Sequence, residues 1–197
     1  TERPSQRLNV DEKLKEFNTF LSSFDKTGYS LEFTQNLDSA IKKLEDLGSI
    51  RSGVNSFSIK GFIAIEYYTE LNKLLLNVIG SITKLSNNAE ITENLVSYMS
   101  FLLVKERTGI ERAIGTNTFA KDSFAEGMKS RFYTLVAEQN AYIDSFLKVS
   151  DSKTIEFYQE TMKSQAIQEV EKMRKIALYS NLDSNFSVDS AYWFKQI

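Results

Sequence analysis

The chain has 197 residues, with 24 Lys+Arg against 26 Asp+Glu and a formal net charge of -2. Its 42% hydrophobic and 25% charged residues are enough to bury a core, and the charge balance argues against affinity built on neutralising nucleic-acid phosphates. The absence of His and Cys excludes Ser-His-Asp triads, thiolate nucleophiles, disulfides and His- or Cys-ligated metals, so a non-enzyme without a cofactor is expected.

One Pro and eight Gly leave few helix breakers, and long helices follow. Leu14, Phe17, Phe20, Leu21 and Phe24 step by three and four until Lys26-Thr27-Gly28 closes the segment. A second segment carries Phe33, Leu37, Ala40, Ile41, Leu44 and Leu47, with Gly48 as its stop. Residues 49–57 read as a connection, and Ser58 as the N-cap of a helix with stripe Phe62, Ile65, Tyr68, Leu71, Leu75, Val78 and Ile82. Ser86-Asn87-Asn88 turns the chain into a helix with Ile91, Leu95, Tyr98, Met99 and Leu102 on one side, reaching Ile114 before Gly115-Thr116-Asn117 interrupts it. A further helix is predicted from about Asp122 through Phe132, Leu135, Gln139 and Phe146. After Ser150-Asp151-Ser152 comes another from Ile155 to Ala177. Asn181–Ser187 is loop-like, and Val188–Ile197 begins one more helix. The fold class is all-α, an antiparallel helical bundle with a four-helix core and additional packed helices.

No apolar run approaches the roughly 18 residues of a membrane span. Thr1 in place of an initiator Met points to a segment taken from a longer chain, which could include membrane helices.

The stripe Ile91, Leu95, Tyr98, Leu102 continues onto Lys105 or Glu106, then Gly109, then Arg112 or Ala113. Mid-helix glycine costs roughly 1 kcal/mol relative to Ala, so Gly109 implies close approach by a neighbouring helix or a ligand. A charge held in a bundle must be paired or solvated. Three readings stay open at Arg112: an internal salt bridge, a stripe rotated to solvent, or an inward guanidinium that receives a small planar oxyanion. Gln139, also on an apolar stripe, either ties helices together or adds neutral donors to such a site.

Lys105-Glu106-Arg107-Thr108-Gly109-Ile110-Glu111-Arg112-Ala113 resembles the K-E-x-x-G-x-E-R-A signature of the nitrate- and nitrite-sensing (NIT) domain of bacterial receptors, kinases and antiterminators. Phe119 to Phe124 is similar to its F-A-x-x-x-F stretch, and Leu135, Gln139, Tyr142 and Phe146 to its L-x-x-x-Q-x-x-Y-x-x-x-F helix. Leu47, Arg51 and Val54 resemble an L-x-x-x-R-x-x-V connection, Tyr68 to Leu75 a Y-T-x-L-x-x-L-L helix, and Val188 to Phe194 a V-x-x-x-x-W-F element. Glu2-Arg3-Pro4-Ser5 stands where the family carries E-R-G-x-S, with Pro4 replacing the glycine, and Ser23-Phe24 replaces a Q-R pair. The resemblance implies one sensory domain over 1–197, with an oxyanion site between arginines of separated segments: Arg112 first, then Arg3 and Arg51.

It further implies a small-anion partner (nitrate, nitrite or a relative) and, by analogy, a homodimer. Family members occur on both sides of the membrane, and the acidic, Cys-free composition with the apparent excision from a longer chain favours an extracytoplasmic domain of a membrane receptor, with cytoplasmic as the alternative. Binding would shift a helix and so drive an output module of chemoreceptor or kinase type. The competing reading is a helical dimerisation or interaction module without a small ligand, its polar stripe residues being internal ion pairs. An enzyme is disfavoured further, because neither Glu-x-x-His metal pairs nor a phosphate-cradling Gly loop is present.

Overall fold

The computed structural model describes the backbone of residues 2–179 and 184–197, with side chains from Pro4 onward. Nine helices are present among the described residues: α1 (Glu2–Ser23), α2 (Leu31–Glu45), α3 (Leu47–Asn55), α4 (Gly61–Thr83), α5 (Ala89–Lys121), α6 (Met128–Val149), α7 (Ser152–Met162), α8 (Gln165–Tyr179) and α9 (Ser190–Gln196). No strand occurs among them, only one antiparallel bridge between Ser123 and Ser184. None of the described helices is long and apolar enough to cross a membrane.

Several helix starts are fixed by side chains that accept orphan N–H groups. Ser30 Oγ accepts from Phe33 N at 3.3 Å, Asn88 Oδ1 from Ile91 N at 3.1 Å, Asp151 Oδ1 from Thr154 N at 2.8 Å and Asp189 Oδ1 from Tyr192 N at 2.6 Å. The donors from Thr154 also hold the Asp151 carboxyl below the usual carboxylate range.

α5 is the spine. It packs along α6, meets α4 on another side, and receives α9 against its C-terminal half. α4 in turn packs on α2, with α3 beside both. One core cluster joins Leu47, Tyr67 and Leu71 at the α2–α4 end. The larger one gathers Phe119, Phe132, Val170, Met173, Ala177, Phe186 and Trp193 around α5, α6, α8 and α9.

The all-α bundle matches the sequence expectation, while several boundaries and one facing differ. Residues 49–57 are largely helical as α3: Asp46 takes a helical conformation, so Gly48 stops nothing. The cap of α4 is Lys60 rather than Ser58. α5 runs through Gly115 to Lys121, and Asp122, in a left-handed conformation with φ 51°, ends it. Gly115 is not a break because its missing side chain is the seat of Trp193: a Cβ there would lie 2.5 Å from the indole. The expected helix over 155–177 divides into α7 and α8 at Lys163-Ser164.

The facing of α5 is the larger correction. Its buried positions are Ser97, Ser100, Glu111, Gly115, Thr118 and Phe119, whereas Ile91 and Tyr98 of the apolar stripe are exposed. Small residues let α5 and α6 approach closely, and Ser97 and Ser150 hydroxyls meet at 2.7 Å. Tight backbone packing therefore outweighs hydrophobicity in choosing which side of α5 turns inward. The α4 stripe is also displaced, since Tyr67 is buried while Phe62 and Ile65 are exposed.

Candidate functional site

Two polar arrangements lie on opposite sides of the signature segment of α5. On the core side Glu111 is fully buried. Arg174 of α8 grips it with one edge of its guanidinium, Nε to Oε1 at 2.7 Å and Nη2 to Oε2 at 2.6 Å. Gln139 of α6 completes the arrangement: its Nε2 donates to Glu111 Oε2 at 2.7 Å, and its Oε1 accepts from Arg174 Nη2 at 2.8 Å and Thr108 Oγ1 at 3.0 Å. The remaining Arg174 nitrogen, Nη1, reaches Glu171 at 2.7 Å. Burial alone would lower the Arg174 pKa, but hydrogen bonds and charge from Glu111, then Glu171, outweigh it and the net shift is upward. Three helices are thus cross-linked by one satisfied network.

On the other side, α4 and α5 form a half-open cavity of about 780 Å³. Its floor is apolar, with Leu75, Leu76 and Leu102 among its lining, while Lys105, Glu106, Gly109 and Arg112 come from the signature segment and Ile197 from the end of the chain. Glu106 is engaged by Asn72 Nδ2 at 2.8 Å. Neither Lys105 nor Arg112 has a carboxylate partner among the described residues. Gly109 stands between these two cations, and a Cβ added there would meet nothing within 4 Å. The glycine is therefore not demanded by packing within this chain. Arg112 is exposed, its guanidinium carbon lying 5.0 Å from the ring centroid of Phe194, and its backbone carbonyl accepts from Trp193 Nε1 at 3.1 Å.

The sequence-predicted site residues are therefore distributed. Gly109 and Arg112 share the cavity. Gln139 lies behind them in the Glu111 network, as a buried helix tie. Arg51 sits on α3, paired with Asp11 of α1, and its pKa is raised because that carboxylate, with Tyr68, overcomes burial. Arg3 belongs to α1, but its side chain lies outside the described residues. Arg112 does not point into the bundle interior as the inward reading required; the rotation of α5 puts it at the cavity edge.

Sequence reasoning missed Arg174. The signal was available: Arg174 follows Val170 by four and precedes Ala177 by three, which places it on the buried face of α8. Glu111, which precedes Gly115 by four and Thr118 by seven, is likewise on the buried face of α5. A second pair, Arg107 Nε and Glu138 Oε2 at 2.6 Å, also joins α5 to α6.

A helical bundle whose acidic and basic residues lock helices on one side of α5 and line an open cavity on the other has the geometry of a binding domain; no cluster of metal-ligating side chains occurs among the described residues. The profile of the family described as nitrate and nitrite sensing (NIT) matches residues 1–197. The chain belongs to the NIT family, a sensory and non-enzymatic one. It is 24% identical over 185 residues to the nitrate regulatory protein of Klebsiella oxytoca, covering 94% of this chain and 46% of that protein. Its fold matches the solved structure of the NasR transcription antiterminator with a TM-score of 0.86 at 22% identity, over 98% of this chain and 52% of the other. The chain thus spans about half the length of each.

Proposed function

We propose that this chain is the nitrate- or nitrite-recognising domain, over 1–197, of a larger signalling protein, and that Arg112 is its principal anion contact. The observation that carries this reading is the unpaired guanidinium of Arg112 at the cavity edge, inside the family's signature segment. A guanidinium offers a planar pair of N–H donors suited to a planar oxyanion, and Lys105 adds a point charge on the same side of α5. Their seven-residue separation is two helical turns, about 10 Å, which leaves room over Gly109 for a small solute between two long side chains. Arg51 and Arg3 are assigned supporting roles in the α1–α3 half, and Gln139 a role in holding the segment that carries Arg112.

Occupancy biases two arrangements of the bundle only by the difference in affinity for them, typically about 1–3 kcal/mol. The exposed apolar side chains Phe62 and Ile65 on α4 and Tyr98 and Phe101 on α5 support a homodimer; sedimentation equilibrium of the isolated chain checks it, a monomer at all concentrations counting against it. For the host protein we carry two readings. One is an extracytoplasmic sensor of a membrane receptor of the chemotaxis or kinase type. The other, a cytoplasmic domain making up half of a longer regulator, is favoured by the likeness to an antiterminator and to a nitrate regulatory protein.

Thermal unfolding with nitrate or nitrite, against chloride at equal ionic strength, tests the ligand. Stabilisation should grow with concentration, reaching about 2.7 kcal/mol at a hundred times Kd; unchanged melting in both anions contradicts the reading. Gly109→Ala should act in opposite directions on fold and ligand. With nothing to clash against, alanine should stabilise the free fold by up to about 1 kcal/mol, while its methyl, crowding the approach to α5, should weaken the nitrate response. Full retention of that response would remove Gly109 from the site.

A further inference from the structure

We infer that Phe194 positions the Arg112 guanidinium and that α9 thereby registers whether the anion is bound. This rests on the preceding reading of Arg112. Two consecutive residues of α9 hold one residue of α5: Trp193 Nε1 donates to the Arg112 carbonyl at 3.1 Å, and the Phe194 ring lies 5.0 Å from its guanidinium carbon. Trp193 is completely buried on Gly115, with ring centroids of Phe119 and Phe132 at 5.3 and 5.9 Å. Phe194, in contrast, is 56% exposed, and Ile197 lines the same cavity as Arg112. α9 is therefore anchored at its middle by Trp193, while the adjacent Phe194 reaches Arg112 and the following Ile197 reaches the cavity.

A guanidinium held over a ring by cation–π attraction is not consumed by a carboxylate, so its N–H donors stay available to an oxyanion. Without the ring, a solvated Arg112 would have to give up more rotamer freedom when an anion orders it. The Phe194 contact thus favours anion binding, and by reciprocity a bound anion favours the seated position of α9. Among the described residues, no other helix makes both a hydrogen bond and a ring contact with Arg112.

The single Trp makes the test direct, because the chain has one indole N–H resonance. The full chain is titrated with sodium nitrate against sodium chloride, affinity being read by calorimetry and the indole resonance by NMR. The expected result is saturable binding with a saturable indole shift, about two- to five-fold weaker binding in Phe194→Leu, and recovery in Phe194→Tyr. Saturable nitrate binding with a stationary indole, or with Phe194→Leu at wild-type affinity or tighter, overturns the inference and leaves the oxyanion reading standing. Absence of saturable nitrate binding to the wild-type chain overturns both.

Discussion

Glu111→Ala should destabilise the fold by about 3–5 kcal/mol in urea denaturation, since it removes the fully buried carboxylate that takes two hydrogen bonds from the largely buried Arg174 and leaves that guanidinium only the exposed Glu171. Gln139 Nε2 would lose its acceptor in the same step, and α8 its main polar attachment to α5. The cost belongs to the broken pair, not to the loss of a favourable interaction in isolation. Desolvating both charges is itself expensive, so replacing them together with apolar residues of similar size, Glu111→Leu with Arg174→Met, should recover much of the stability. A single-variant loss below about 1 kcal/mol would mean that water reaches the pair and that the network does not fix helix register.

Trp193→Ala should cost a comparable amount, about 3–5 kcal/mol. The indole is completely buried and packs on Phe119 and Phe132, so little can collapse into the space it leaves. Far-UV circular dichroism in denaturant is the measurement, because the variant has no tryptophan to report by fluorescence. A cost below about 1 kcal/mol would mean that α9 merely rests on the bundle. That outcome would also weaken the route from Arg112 to the end of the chain.

Helix content and the all-α class were legible because the periodic apolar spacing of α2, α6 and α8 coincides with their buried faces, as Phe33, Leu37 and Ala40 or Val170, Met173 and Ala177 illustrate. Punctuation by Asn88 and Asp151 was legible for a similar reason, since these caps act within three residues of sequence. What was not legible depends on partners distant in the chain. Gly115 looks like a helix break until Trp193, from the far end, occupies the space above it. α5 looks as though Tyr98 and Leu102 face the core, yet the small residues Ser97 and Ser100 do. That rotation carries Glu111 inward and Arg112 outward, so the signature segment was located while the assignment of its two charged neighbours to core and cavity was not. Arg174 was overlooked although its spacing marked it, because an arginine on an apolar face acquires meaning only with its carboxylate partner.

The two charged neighbours also separate the competing functions. A helical interaction module needs Arg112 only as an exposed cation over the Phe194 ring, whereas a nitrate sensor needs it as the ligand contact. Arg112 has no carboxylate to strand, so Arg112→Gln should change stability by less than about 1 kcal/mol. The decisive measurement is isothermal calorimetry of nitrate binding to wild type and Arg112→Gln at constant ionic strength, with circular dichroism confirming that both are folded. Saturable heat in the wild type, lost in a variant of wild-type stability, is the predicted result. Equal nitrate affinity in the two proteins would contradict the assignment of Arg112 as the anion contact.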